Sequence, residues 1–277
     1  MVKTLNLMYD TVQLIEKSFQ SELLEREVQI DFYFPLNVPA DYPWELLLIN
    51  DGQDLVKMDF AGILDRMYAQ HEIYPVLAVG IYAGKDRKLE YGTAKEPDYL
   101  NRGSKAEAYT KFIFEELIPN IRAVSGIQNF RNKFFSGFSL GGLMAMDIVW
   151  NYPQEFKSVG VFSGSFWWRS VGLDEGYNED TDRIMHRQVR EGTFAPWLRF
   201  FFETGAFDET ADRNNNGIID SIDDTRALID ELKAKGYTSD DIFYLELHDG
   251  HHDIETWGRA FPAFLRWAIG LNVERKT

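Results

Sequence analysis

The chain has no cysteine among its 277 residues. No disulfide framework holds it, no thiolate acts in it, and any nucleophile it carries is an oxygen or an amine. Long apolar runs are missing too. No stretch is long enough to span a membrane, and "MVKTLNLMYDTVQLIEKSFQ" at the N-terminus scatters charge and polarity where a signal peptide needs an apolar core. A cytoplasmic location is the default expectation. Positive charge is scarce: 29 Lys and Arg stand against 44 Asp and Glu, for a formal net charge of -15. Such a surface repels nucleic acid and anionic membranes, so neither is expected as a partner. The acidic excess reads as a solvated face. There is no internal repeat, low-complexity tract or linker, which makes residues 1–277 a single domain.

What is present is apolar and aromatic, at 45% and 15% of the chain, enough for a large core. "VQIDFYFPL" (Val28 to Leu36) alternates like a half-buried strand, whereas "WELLLINDG" (Trp44 to Gly52) and "YPVLAVGIY" (Tyr74 to Tyr82) are continuous apolar runs suited to strands buried on both faces. Helix-period stretches separate them: Leu55 to Ala69, Ser104 to Ala123 with a stripe of Phe112, Phe114, Leu117 and Ile121, and Leu140 to Trp150. "SVGVFSGSFWW", "LRFFFETGAFD" and "DIFYLELHDGHH" read as later strands, each ending in a polar or glycine-containing tip. Strands alternating with helices predict an α/β fold with a mostly parallel sheet, in which strand tips carry the chemistry.

One tip is distinctive. "GFSLGG", Gly137 to Gly142, follows the strand "NKFFSGF" and opens a helix. Ser139 there is either a helix cap or a nucleophile held on a sharp strand-to-helix elbow. A serine nucleophile needs a histidine base and an orienting acid, in the chain order Ser, acid, His. Of the five histidines, His248, His251 and His252 lie at a late strand tip and are better placed than His71 or His186. Glu203, Asp208 and Glu209 are the acids available. Glu203 falls inside an apolar strand, where a structural pairing is expected, and Asp208 lies just past the Gly205 turn, where an orienting carboxylate belongs.

From Val28 to Ile269 the chain resembles the putative-esterase branch of the α/β-hydrolases, which includes enterochelin esterase-like hydrolases, feruloyl and acetyl-xylan esterases, S-formylglutathione hydrolase and mycolyltransferases. "LLLINDGQD" is similar to that family's strand and oxyanion loop, and "GKDRKLEYG" to its R-x-x-E-Y segment. "RGSKAEAYTKFIFEELIPNI" resembles the helix before the elbow. "GFSLGG" resembles its G-x-S-x-G-G, "FSGSFWW" its post-elbow tip, "GAFD" its acid turn and "GHHDIETW" its histidine segment. The resemblance implies an α/β-hydrolase fold with Ser139 as nucleophile, Asp208 as acid and His252 as base, with His251 the rival of His252. An oxyanion hole would form from the backbone N–H groups of Leu140 and Gln53. Arg87, Glu90 and Tyr91 are expected to form an ion pair and a packed aromatic near the site. At least one of Phe166, Trp167 and Trp168 is expected to line the substrate pocket.

The expected reaction is ester hydrolysis through an acyl-enzyme, which needs no cofactor. Acyl transfer with the same residues and a non-catalytic ligand-binding domain are the alternatives. Sugar acetate, feruloyl, siderophore lactone and small acyl thioester substrates all fit.

One segment lies outside the family pattern. "DRNNNGIIDSID", Asp212 to Asp223, has the spacing of a twelve-residue calcium loop. Asp212, Asn214, Asn216, Ile218 through its carbonyl, Asp220 and Asp223 stand at ligand positions, with glycine at the sixth. A structural Ca2+ is expected there; against it stand Asp223 in place of glutamate and two neutral asparagines.

Overall fold

In the computed structural model, residues 9–39 and 41–271 are described. Eight strands form one sheet, from β1 (Val12–Ser21) and β2 (Arg26–Pro35) through β3 (Leu46–Asn50), β4 (Leu77–Ile81), β5 (Lys133–Phe138), β6 (Ser158–Phe162) and β7 (Arg199–Phe207) to β8 (Ile242–His251). Their spatial order is β1-β2-β4-β3-β5-β6-β7-β8. β1 pairs antiparallel with β2 and β2 with β4; every later pairing is parallel. The expected α/β-hydrolase-type fold is therefore present, with the serine-bearing β5 in the middle of the sheet.

Sheet alternation sends successive side chains to opposite faces, and the continuous apolar runs fill both. On one face Leu48, Val79, Phe135, Val159, Phe200 and Phe202 join one core layer. On the other, Leu47, Ala78, Phe134 and Phe201 pack with the residues of α1 (Phe60–Ala69) and α9 (Ile254–Ile269). The helices between these are α2 (Arg87–Glu90), α3 (Ala106–Lys111), α4 (Ile118–Ser125), α5 (Leu140–Asn151), α6 (Glu179–Asp182), α7 (Ile184–Glu191) and α8 (Asp220–Lys235). A π-helical stretch, Phe112–Leu117, joins α3 to α4, so the stripe read as one helix is wound differently in its middle, and Phe114 is only half-buried. The strand β1 lies in a segment whose scattered charge gave no strand signal; it is an edge strand with one face toward solvent. Among the described residues no helix is long and apolar enough to cross a membrane.

Candidate active site

Ser139 sits between β5 and α5 at φ 56°, ψ -123°. A non-glycine residue there is strained by about 1–3 kcal/mol and persists only where its surroundings fix it. They do so on all sides. Its N–H donates to Phe162 O (2.9 Å), and its carbonyl accepts from Gly142 N and Leu143 N (both 3.1 Å) and from Ser165 N (3.3 Å). The serine is thus the first acceptor of the helix by its carbonyl, and its side chain makes no cap, which removes the capping alternative. Ser139 is half-buried, and its hydroxyl lies 3.4 Å from Ser165 Oγ.

The glycines of the motif have separate reasons. A Cβ on Gly137 would stand 2.4 Å from Gly141 O, one on Gly142 2.8 Å from Val161 Cγ1, and one on Gly141 2.5 Å from Asp51 Oδ2. The last contact shows that the loop after β3 is pressed against the start of α5. Asn50 Nδ2 reinforces it by donating to Gly141 O (2.8 Å).

That loop is braced in turn. Asp51, in left-handed backbone conformation at φ 60°, receives a two-pronged bond from Arg87 (Nε 2.6 Å, Nη2 2.7 Å). Arg87 pairs with Asp51 and not with Glu90, whose carboxylate is taken by Arg26 at 2.8 Å. The expected ion pair therefore exists near the site with a different acid, because Arg26 of β2 holds both oxygens of the buried Glu90. Tyr91 is fully buried edge-on to Tyr109, which donates to Asn50 Oδ1 (2.6 Å). Gln53 is held by its side chain, which donates to Asp51 and accepts from Ala83 N (3.0 Å). The turn's own backbone bonds run from Asp54 N to Asp51 O and Leu55 N to Gly52 O, and the first bonds of α5 come from Gly142 and Leu143. The Gln53 and Leu140 amides thus stand in adjacent segments, outside those bonds.

The acid and histidine segments meet at the other side. The β7–β8 register pairs Phe207 with His251 after a bulge between Gly205 and Phe207, which places Asp208 beside His252. Gly205 and Gly250 make this closeness possible: a Cβ on Gly205 would lie 2.5 Å from Gly250 C and 2.7 Å from Asp208 Oδ1. His252 packs edge-on to Trp257 (5.3 Å, 80°), Trp257 stacks on Phe138 (5.0 Å), and Phe138 precedes Ser139. His251 instead stacks on the exposed Phe207 (5.3 Å). Trp257 Nε1 donates to Ser163 Oγ (2.9 Å).

Both Asp208 carboxylate oxygens are buried, with no hydrogen-bond partner among the described residues. Burial raises the Asp208 carboxyl; Ser163 and the charge of His252 pull it back. His252 presents part of its surface to solvent, yet the protein packed around the rest of the ring lowers its pKa, and Asp208 opposes that.

The remaining expectations divide. Phe166 and Trp168 are wholly buried, and Trp168 donates to Thr93 Oγ1 (3.1 Å). Trp167 alone of the three is partly accessible, under the guanidinium of Arg102 at 4.8 Å. Glu203 does not make the structural pairing expected of it: neither of its oxygens has a hydrogen-bond partner among the described residues. His186 is buried against Asp224 O (2.9 Å) and belongs to the core. The sequence motifs gave no role to Ser163, Ser165 or to Trp257, which closes "GHHDIETW". The signal for the first two was "FSGSFWW", where two serines follow a buried strand.

In the loop 212–223, Asp212 accepts from Asn216 N (3.1 Å) and Gly217 N (2.9 Å), Asn214 donates to Asp223 (2.9 Å), and Asn216 accepts from Ile218 N (2.8 Å). Asp220 differs: it is turned to Arg213, through that residue's N–H (2.9 Å) and guanidinium (3.3 Å), and begins α8. Among the described residues no three acidic, histidine or cysteine side chains converge as a metal cluster.

A model of the family described as "Putative esterase" matches residues 21–268. Two Bacillus subtilis (strain 168) proteins, the uncharacterised YjcH and YbbA, are 26% and 22% identical over 249 residues, covering 89% and 86% of this chain and 92% and 93% of their own. The enterobactin esterase FES from Shigella flexneri, solved in the presence of enterobactin, superposes with a TM-score of 0.68 at 19% identity. That likeness covers 91% of this chain and 57% of the other, so the chain spans a little over half of that protein's length. The siderophore hydrolase EstB from Aspergillus nidulans gives a TM-score of 0.66 at 17% identity over 99% of both chains. These structural likenesses speak for the fold. The match over residues 21–268 shows that the chain belongs to the putative esterase family, a family of carboxylic ester hydrolases.

Proposed function

We propose that the protein is a serine esterase in which Ser139 Oγ attacks the ester carbonyl. His252 takes the serine proton and passes it to the leaving alcohol, Asp208 orients the imidazole, and water then cleaves the acyl-enzyme by the same route. The observation that carries this reading is the strained Ser139 at φ 56°, fixed by four backbone bonds while the residue stays partly exposed and makes no side-chain cap. A cap or a binding-only turn has no use for that strain. The Leu140 amide at the start of α5 and the Gln53 amide would receive the oxyanion, each worth about 3 kcal/mol of barrier. The accessible His252 leaves a path for water, which favours hydrolysis over acyl transfer.

For the substrate, Trp167 under Arg102, with Arg169 over Tyr99 at 4.9 Å, favours an ester bearing an aromatic or anionic group, of the siderophore or feruloyl type. A panel of chromogenic esters, run with and without a covalent serine inhibitor, tests both statements. Turnover of aromatic esters that the inhibitor abolishes is expected; inhibitor-resistant turnover contradicts the mechanism.

The loop 212–223 is proposed as a structural calcium site. The support is its spacing and the inward-turned oxygens of Asp212, Asn214 and Asn216; Asp220, engaged by Arg213, is not part of that inward set.

A further inference from the structure

Beneath the acid and base lies a carboxyl that the reaction as described does not use. Glu203 stands in β7 between Phe162 of β6 and Leu245 of β8, and is 1% exposed. Neither oxygen has a hydrogen-bond partner among the described residues. Strand alternation sends it to the face of Phe201, which packs on Phe264 of α9, the same layer that holds Trp257 behind His252. The charged groups facing it are Asp208 from the loop after β7, Asp253 from the cap of α9, and Arg259 of α9. From β6 and β8 it meets the apolar Phe162 and Leu245, and the Ser163 N–H just past β6, which favours the charged form, is engaged by the Glu203 carbonyl (2.8 Å). Arg259 is already bonded to both oxygens of Asp249, at 2.7 and 3.2 Å.

An ionised carboxylate without donors in such a pocket is far costlier than a neutral acid. Burial pushes the Glu203 carboxyl up to about 8, with the charge of Asp208 adding to the rise and Arg259 opposing it.

We propose that Glu203 is a positioning residue that holds a proton beneath Asp208, so that Asp208 is the only charged member of this buried carboxyl pair against His252. The proposal rests on the reading of Asp208 and His252 as acid and base. When the proton leaves for solvent, a second anion occupies a pocket whose nearby donor, the Ser163 N–H, is already bonded to the Glu203 carbonyl (2.8 Å). Glu203 is fixed within a strand, and Asp208 stands in a loop past a bulge, so repulsion moves Asp208 and the imidazole loses its orientation.

The test compares the full chain with Glu203→Gln and Glu203→Asp in two measurements: melting temperature against pH, and kcat/KM against pH on a chromogenic ester. A folded-state pKa raised above the unfolded value gives stability that is fully present below the unfolded pKa, about 4.5, and is lost as pH rises toward 8. The parent should therefore lose melting temperature across that window and lose kcat/KM above pH 8. Gln, which cannot ionise, should flatten the first and remove the second, and Asp, which can, should keep an alkaline limb. An unchanged melting slope in the Gln variant overturns the buried proton. A flattened slope with an unchanged alkaline limb overturns its link to the acid–base pair. A parent without Ser139-dependent turnover contradicts the esterase reading instead, and the melting measurement still decides the proton.

Discussion

The proposed nucleophile side and the proposed acid–base side of the site are built on opposite terms. The turn at Ser139 lies in the middle of the sheet, and nearly every polar group around it is satisfied: Asn50 by Gly141 and Tyr109, Asp51 by Arg87, Gln53 by Ala83. The corner of Asp208 and His252 lies where β7 meets the edge strand β8, and it gathers buried carboxylate oxygens without a hydrogen-bond partner among the described residues, on Glu203, Asp208 and one oxygen of Glu209. Both sides depend on one glycine pressed against another, Gly137 on Gly141 and Gly205 on Gly250. The centre holds a strained backbone by complete hydrogen bonding. The edge holds titratable groups whose charge depends on their neighbours, which suits the acid–base role proposed for it.

The largest effects separate the histidines. His252→Ala should lower kcat/KM by about 10⁵-fold or more, since among the described residues no other base lies beside Asp208. His251→Ala, which loses a ring stacked on Phe207, should change it by less than about tenfold. Steady-state kinetics on one ester decides, and a larger loss at His251 reverses their roles.

Asp208→Asn comes next, with a loss of about 10⁴-fold at neutral pH from misoriented imidazole. The pH profile gives its sign. A neutral base is required, so the acid limb follows the His252 pKa, which burial already holds below the ordinary value of about 6.5. Asp208 raises that pKa, so removing its charge should shift the limb to still lower pH. A shift to higher pH would break the pairing.

The two glycines test centre against edge directly. Gly137→Ala meets a backbone oxygen at 2.4 Å between β5 and α5, both locked by packing, and should cost more than about 3 kcal/mol or prevent folding. Gly205→Ala meets Gly250 at 2.5 Å on an edge strand free to shift, and should cost about 1–3 kcal/mol while lowering activity through His252. Equal costs in chemical denaturation would remove the distinction.

The smallest effect on activity is that of calcium. An ion bound only by the folded loop stabilises by about 2.7 kcal/mol at one hundred times its dissociation constant. Melting temperature should rise by several degrees with calcium, fall with chelator, and lose that response in Asp212→Ala. Activity should fall only partly on chelation, since the serine mechanism needs no Lewis acid.

The centre was legible in the sequence because its demands are local: a strand, a glycine-bracketed serine and a helix follow one another within Lys133 to Asn151, and the glycines have no substitute there. The edge was less so. Three acids within Glu203 to Glu209 and the doublet His251–His252 are separated by register, bulge and neighbours that no short pattern fixes, and the resemblance to a family was needed to choose among them. Glu203 illustrates the limit, since a carboxylate in an apolar strand implies a partner and the fold provides none. Asp220 illustrates another: its position in the calcium spacing said nothing of Arg213, which reaches it from within the same loop. β1 was missed for a related reason. An edge strand exposes one face, and its charges masked the alternation.

The claim on which everything else rests is that Ser139 is the nucleophile. Intact-protein mass spectrometry after exposure to an organophosphorus serine probe, followed by peptide mapping, measures it directly. One adduct on the peptide containing Ser139, absent from Ser139→Ala and formed far more slowly in His252→Ala, is the result expected. A protein that takes up no probe, or an adduct that persists in Ser139→Ala, would contradict it.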